Sequence, residues 1–462
     1  MIHNETIFAL SSGRPPAAIA VVRISGAHAR FGLETLTGRV PEPRYAVFAK
    51  IRDPKSEEII DEGLVLWFPG PRSETGEDVV ELQLHGGQAV VTSVLAALAR
   101  LPEFRMAEPG EFTRRAFENG RLDLTAVEGL ADLIYAETEA QRRQAYRQLK
   151  GFLGERAETW RGRLIEALAL VEARIDFSDE GDVPEGLIAP ALDIARALHG
   201  EIAAALAAGR RGERLREGLT IAIAGPPNAG KSSLFNRIVR RDAAIVTSIP
   251  GTTRDVIEVH LDICGFPVTL LDTAGIRDTE DPIEKEGVRR ARARAEAADL
   301  VLWVCDATEG PNSEAKVSLM GRDLGGALGG DAAPDFWVVR NKIDLVDSEP
   351  QQWAELPLGA GRRLHVSAHT GDGLEELMSA LAAFARDNLG SGESQLITRE
   401  RHRGALTACA DALWRAQDVD GRGEEILAQE LRFAANALGR LTGRVDAEDI
   451  LDRIFRDFCI GK

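Results

Sequence analysis

Sulfur, long apolar runs and surplus positive charge are all scarce in this chain of 462 residues. Its four cysteines, at 264, 305, 409 and 459, show no Cys-x-x-Cys spacing, which speaks against a disulfide framework and against a sulfur-ligated zinc site. No run of 18 apolar residues occurs, and the first ten residues lack the basic start and apolar core of an export signal. A cytoplasmic location without a membrane partner is therefore expected. Lys and Arg number 56 against 73 Asp and Glu, a net charge of −17, so the surface as a whole repels polyanions. Any RNA contact must then use a local basic patch or a second protein. The length itself predicts about two to four domains, each with room for a packed core.

What is present is concentrated after residue 218. Residues 219–224 form an apolar, strand-like run followed by Gly225-Pro-Pro-Asn-Ala-Gly-Lys-Ser232, the spacing of a phosphate-binding loop that opens a helix. In such a loop the backbone N–H groups of Asn228, Ala229, Gly230, Lys231, Ser232 and Ser233 face phosphate oxygens. The Lys231 ammonium reaches the terminal phosphates, and the Ser232 hydroxyl suits Mg²⁺. Further along, Asp272-Thr273-Ala274-Gly275 follows the strand-like residues 268–271 and places a carboxylate and a backbone N–H near the metal and the terminal phosphate. Asn341-Lys342-Ile-Asp344 follows a strand at 336–339. The Asp344 carboxylate can accept the two donors that guanine has and adenine lacks, while Ser367-Ala368 adds a backbone N–H to the base pocket. Four such segments in this order specify GTP and GDP as ligands.

Two features are unusual for a GTP hydrolase. Ile276 stands where a water-orienting Gln is common, so another polar group must do that work, and Glu284 is the nearest candidate. Asp281-Pro-Ile-Glu284 also reads as a helix start, with Glu284 closing a capping box. The polar loop Thr247-Ser248-Ile249-Pro-Gly-Thr252-Thr253-Arg254-Asp255 can bring Thr253 to Mg²⁺ and carbonyls to a second cation. Arg254 is open to two readings, an arginine finger and a loop salt bridge.

Elsewhere the patterns are architectural. Strand-like runs at 17–24, 45–51, 63–68 and 79–84 and a helix-period stretch at 88–101 predict an α+β domain over residues 1–120. His85-Gly-Gly87 reads as a strand-ending turn with a hydrogen-bonded imidazole. Residues 121–216 change to long helices, with Leu130, Ile134, Ala145, Phe152, Leu153, Trp160, Leu164 and Val171 among the stripe expected to be buried. The charge-rich segment 139–150 reads as a solvated helix face or an RNA contact. A loop at 178–186 interrupts this part, and helical periodicity resumes at 397–416 and 425–458. The expected organisation is thus an N-terminal domain (1–120), a helical domain in two pieces (121–216 and 385–462), and a Ras-like α/β G domain (217–384) inserted between them.

These residues, together with TIFALSSGR, RISG, EDVVELQLHGG and PGEFTRRAFENGRLDL in the first 124 residues and Phe-Cys-Ile-Gly-Lys462 at the other end, resemble the MnmE (TrmE) family of tRNA-modification GTPases across the whole chain. The resemblance implies K⁺ coordination by Asn228, Thr247, Ile249 and Thr252, and a water oriented by Glu284 when two G domains meet. It implies an N-terminal domain that dimerises and binds 5-formyl-tetrahydrofolate or a related folate, with Arg23, Glu81, Arg121 and Lys462 as contacts. It also implies an MnmG-type FAD-dependent partner and tRNA as substrate, with a carboxymethylaminomethyl-type group installed at C5 of the wobble uridine. Cys459 stands in the family's terminal motif with an open role. The competing reading is a regulatory GTPase switch or scaffold in ribosome assembly.

Overall fold

The computed structural model describes residues 5–176, 187–241, 257–272, 297–309, 334–346, 362–390, 396–417, 423–445, 451, 454–455, 458 and 460–461. They form two compact units. One comprises residues 1–131, 146–203 and 404–462, the other residues 132–145 and 204–403.

In the first unit, strands β1 (Thr6–Leu10), β2 (Ala17–Ser25), β3 (Val47–Arg52), β4 (Ile59–Phe68), β5 (Val79–Gly86) and β6 (Phe104–Met106) make one sheet in the order β3-β4-β5-β2-β1-β6. Only the β1–β6 pair is parallel. Alternation decides its two faces. Val22, Ile24, Ile51, Val65, Val80 and Leu82 point to a core shared with residues of α1 (Ala29–Thr37) and α2 (Gln88–Leu98). The opposite face carries Ile19, Arg23, Phe48, Leu64, Glu81 and Gln83 in register across β2–β5. Among the described residues this face is open at Ile19 of β2, Phe48 of β3 and Leu64 of β4, which are 60%, 59% and 40% exposed, while Ala107 and Phe112 cover Ile7 and Ala9 of β1. Gly63 stands in β4 where a Cβ would lie 2.1 Å from the Gln83 carbonyl oxygen, so a side chain there would push β4 and β5 apart.

Helices α3 (Glu111–Glu118), α4 (Leu124–Tyr135), α5 (Glu139–Leu149), α6 (Phe152–Asp176) and α7 (Ile188–Glu217) follow. Asp123 caps α4 by accepting the Ala126 N–H, and Thr138 with Gln141 forms a reciprocal capping box at α5. Along α6, Leu153, Trp160, Leu164 and Val171 are buried as the three- and four-residue spacing predicts, but Phe152 of α6 is 44% and Ile134 of α4 36% exposed, so these two stand outside the expected stripe. The later helical stretch does not run unbroken from 425 to 458. Its helix ends at Thr442, and Gly443 takes the left-handed C-cap with φ +82°, where a Cβ would press 2.8 Å from the Phe117 ring.

The second unit is built on β7 (Leu219–Ala224), β8 (Ile257–Ile263), β9 (Phe266–Asp272), β10 (Leu300–Asp306), β11 (Asp335–Asn341) and β12 (Arg363–His365), ordered β12-β11-β10-β7-β9-β8. All pairs are parallel except the edge pair β8–β9. Near-continuous apolar strands such as LTIAIA and LVLWVCD are what a parallel sheet buried on both faces requires. Helix α8 (Lys231–Arg241) contributes Leu234, Phe235 and Ile238 to its core, and α9 (Leu374–Leu389) contributes Leu374, Leu377, Leu381 and Ala385. Helix α10 (Glu400–Gln417), from residue 404 on, and α11 (Glu424–Thr442) belong to the first unit. At the margin of the second unit Arg403 pairs with Glu213 of α7, while Arg399 and Arg216 share Asp132 at 2.6 and 3.0 Å.

Candidate functional site

The chain winds outward from β7 in both directions, through β9 and β8 on one side and β10, β11 and β12 on the other. In open α/β sheets that reversal leaves a crevice at the carboxyl ends of the strands, where ligands bind. The predicted nucleotide residues within the described structure gather at those ends. Asp272 closes β9, Asn341 closes β11 and Ser367 follows β12, and beside them Asp306, which no motif marks, closes β10.

The loop between β7 and α8 has a backbone that few residues tolerate. Gly225 has φ +145° and a Cβ there would lie 2.1 Å from the Val304 carbonyl oxygen, while Gly230 has φ +89°. Asn228 takes φ +63°, a left-handed conformation that Asn accepts more readily than most side chains. The consequence is a curl of consecutive amides leading into α8, whose positive end favours an anion. Lys231 bends back so that its ammonium donates to the Gly225 and Pro226 carbonyl oxygens at 2.9 and 2.8 Å. Burial lowers its pKa, and the Asp272 carboxylate pulls the other way. Both effects suit an ammonium that gains from a phosphate partner, and Ser232 beside it opens the helix.

Asn341 joins this loop to the base side of the crevice. Buried at 2% exposure, it donates to the Ala229 carbonyl oxygen at 2.9 Å and accepts the Ala368 N–H at 2.9 Å. Ser367 donates to Asp344 at 2.5 Å, which fixes the carboxylate expected to read guanine. Lys342, in the left-handed region at φ +67°, pairs with Asp306 at 2.6 Å. Burial disfavours the Asp306 carboxylate, but the Lys342 ammonium and the Thr308 N–H and hydroxyl outweigh it and lower its pKa. Asp306 is a member of this corner that motif reading did not find. Its only sequence signal is a carboxylate ending the apolar run 300–304 and followed two residues later by a hydroxyl, the pattern of an Asx turn. Thr247, Ser248, Ile249, Thr252, Thr253, Arg254, Thr273, Ala274, Gly275 and Glu284 lie outside the described residues, so the capping box and switch-loop readings placed on them do too.

The second set of expected residues meets in the first unit. Arg23 and Glu81 face each other on the second face of the sheet, mostly buried, with Nη2 to Oε1 at 2.9 Å. Glu74, which sequence reading passed over, holds the same guanidinium at 2.7 Å, and the Phe112 ring lies 5.9 Å from its centre. The loop bearing Glu74 continues to Gly76, whose missing Cβ would touch the Arg121 stem at 3.4 Å. Ile460 bridges to Pro109, and the Ser11 hydroxyl donates to the Gly461 carbonyl oxygen at 2.7 Å. Cys459 and Lys462 lie outside the described residues. His85 is hydrogen-bonded at Nδ1 to Asp61 at 2.8 Å, in keeping with the turn expected there.

Among the other cysteines, Cys264 is exposed, whereas Cys305 and Cys409 are buried, and burial pushes the Cys409 thiol up to about 12, which leaves it inert. No helix among the described residues is long and apolar enough to cross a membrane.

Residues 6–121 match the family model for the GTP-binding protein TrmE N-terminus, and residues 124–459 match that for the MnmE helical domain. The tRNA modification GTPase MnmE of Bradyrhizobium sp. (strain ORS 278) is 56% identical over 460 residues, spanning 100% of this chain and 99% of that one. The protein of the same name from Rhodopseudomonas palustris (strain BisB18) is also 56% identical, with 99% of each chain covered. That from Parvibaculum lavamentivorans is 55% identical over 462 residues, covering 99% of this chain and 100% of the other.

Proposed function

This chain belongs to the MnmE family of tRNA modification GTPases, and from that premise we propose a K⁺-activated GTP hydrolase that drives wobble-uridine modification with an FAD-dependent partner of the MnmG type. GTP hydrolysis in tRNA modification is the family's activity. The finer claims are the K⁺ requirement, the partner and the carboxymethylaminomethyl-type product at C5.

The observation that carries the nucleotide part is the Asn341 bridge, which ties the phosphate loop at Ala229 to the base loop at Ala368 within one buried side chain's reach. On this reading the amides of Asn228 to Ser233, with Lys231, hold the phosphates, Ser232 and Thr253 hold Mg²⁺, and Asp272 to Gly275 meet the terminal phosphate. Asp344, Lys342, Ser367 and Ala368 select guanine. The left-handed turn at Asn228 fits a role in offering a ligand to K⁺, together with Thr247, Ile249 and Thr252. Bound there, K⁺ supplies positive charge beside the phosphates, and Glu284 orients the attacking water.

The second sheet face supports both homodimerisation, through its open part, and the folate site, through its half-buried charges. Its exposed Phe48, Leu64 and Ile19 are apolar surface suited to a second copy, and Arg23, with Glu81 beside it and Arg121 near, suits the carboxylates of 5-formyl-tetrahydrofolate or a related folate. Gly461 packs on the end of β1, which supports a contribution from Lys462. We assign dimerisation and folate binding to residues 1–120, GTP turnover to 217–384, and the helical framework to 121–216 and 385–462.

The deciding test is GTP hydrolysis by the full chain in K⁺ against Na⁺ at equal ionic strength, with Glu284→Ala alongside. Faster turnover in K⁺, and a variant that binds GTP but turns it over slowly, is the expected result. Equal rates in both salts would remove the cation from the mechanism and return Glu284 to a helix cap.

A further inference from the structure

The charged part of the second sheet face continues past Arg23. Arg23, Glu81 and Leu66 stand in one row across β2, β5 and β4, and Ser25, Val79 and Phe68 form the next row along, on the side away from Leu64. Arg44, on the segment before β3, has its guanidinium 5.7 Å from the Phe68 ring centre and donates through Nη2 to the Arg72 carbonyl oxygen. Its own N–H donates to the Trp67 carbonyl oxygen at 2.8 Å. Arg72 belongs to the loop between β4 and β5, the same loop that brings Glu74 to Arg23. Both arginines thus lie on from Arg23 within one domain.

Two properties set this pair apart. The backbone of Arg44 is left-handed at φ +68°, a conformation that residues other than glycine adopt at a cost and that gathers at ligand sites. Among the described residues, moreover, no carboxylate pairs with Arg44 or Arg72, and both are exposed. Arg23, by contrast, is held by Glu81 and Glu74 at 2.9 and 2.7 Å. In a chain of net charge −17, two guanidiniums left without a counter-charge next to a folate-type site point to an anionic ligand that extends along the face.

The spacing suits a repeated carboxylate. From Arg23 to Phe68 is two strand steps of about 4.8 Å across and two residues of about 3.3 Å along, roughly 12 Å in all. A γ-linked glutamate adds two C–C bonds to the roughly 3.6 Å of an extended peptide residue, about 6 Å per unit, so two units cover that distance. We propose that Arg44 and Arg72 form a subsite for the γ-glutamate tail of a polyglutamylated folate, with the first glutamate at Arg23 and the added carboxylates at the two outer guanidiniums. The proposal rests on the folate reading of this face and names the form of folate that the chain takes. The Phe68 ring and the Arg72 carbonyl already hold the Arg44 guanidinium, so little side-chain freedom is left to lose on binding.

Calorimetry of the full chain with 5-formyl-tetrahydrofolate carrying one or three glutamates, at low and moderate salt, tests this. In the wild type the triglutamate should bind roughly two- to thirtyfold more tightly, the gain from two partly exposed ion pairs, and the advantage should shrink as salt rises. Arg44→Ala/Arg72→Ala should bring the ratio of the two affinities to about one while leaving the monoglutamate within about twofold of wild type. Arg44→Lys/Arg72→Lys keeps the charges and should keep most of the ratio. Arg72→Ala alone, at an exposed loop position, should lose part of it, and it supplies the answer if the double variant does not fold. Equal affinity for the two ligands in the wild type overturns the proposal, as does a ratio that survives in the alanine variants. A variant that weakens both ligands alike also overturns it, because Arg44 and Arg72 would then only shape the loop. A wild type that binds neither ligand rejects the folate reading itself, and the subsite with it.

Discussion

Replacing Asn341 with alanine probes the joint on which the nucleotide site depends. The substitution leaves the Ala229 carbonyl and the Ala368 N–H, each now bonded at 2.9 Å, without their partner. Each orphaned group costs about 1–3 kcal/mol, and loop groups able to relax toward water fall in the lower half, so roughly 2–4 kcal/mol is lost in total. If that loss falls on the order of the phosphate and base loops, GDP affinity drops roughly 30- to 1000-fold at 1.4 kcal/mol per factor of ten. The same joint can be strained from the other side. A Cβ at Gly230 would stand 2.2 Å from Asn341 Nδ2, at a φ of +89°. Gly230→Ala should therefore carry both a clash and a backbone cost in the wild type, but only the backbone cost, about 1–3 kcal/mol, in the Asn341→Ala background. The two substitutions should be non-additive by about 1 kcal/mol or more. Fluorescent-GDP titration of the two single variants and the double variant measures this. An Asn341→Ala affinity within about threefold of wild type, or a Gly230→Ala cost identical in both backgrounds, would refute the bridge as the organising contact.

Other perturbations follow from single contacts. Glu74→Gln should raise affinity for 5-formyl-tetrahydrofolate several-fold by calorimetry, because it removes an internal anion 2.7 Å from Arg23, and Arg23→Ala should abolish binding; a weaker Glu74→Gln complex would count against competition at that guanidinium. Glu111 is buried, yet bonds from Arg105, the Glu108 N–H and Arg115 outweigh desolvation and lower its pKa. Its stabilisation is thus complete above its unfolded pKa and fades as pH falls through the lower folded value. Melting temperature should decline in that acid window, and Glu111→Gln should flatten the decline while lowering stability at neutral pH. Gly461→Ala, at φ +97° with its Cβ 2.1 Å from the Leu10 carbonyl oxygen, should displace the terminal segment, reducing tRNA modification while GTP turnover holds. Undiminished modification in that variant would separate the segment from the chemistry.

Legibility in the sequence tracks how local the physics is. The strand at 219–224 is readable to the residue because a buried parallel strand is an apolar run and the following glycines are dictated by backbone conformation. Strands 300–306 and 104–106 and the helix at 29–37 escape such a reading. They carry no motif, and the strands take their identity from pairing with distant partners such as β7 and β1. Phe152 and Ile134 are misplaced in the core because helical spacing reports periodicity but not which stripe finds a neighbour. Within the site, Asn341 and Asp344 are visible as a tetrapeptide, whereas Asp306 and Glu74 act through partners 36 and 51 positions away, a separation that no local pattern encodes.

The ion pair between Arg403 and Glu213, backed by Arg399 on Asp132, has a consequence for how such a chain can be edited. It ties together two points 190 residues apart and, although such a pair adds only about 1 kcal/mol or less, it marks where the excursion leaves and returns. Each doubling of the excursion's length then adds only about 0.6 kcal/mol. The excursion can in principle be lengthened, trimmed or exchanged for a short flexible bridge without unpicking the framework from which it departs. A segment that leaves and returns at fixed points can vary in length between them at little cost to those points.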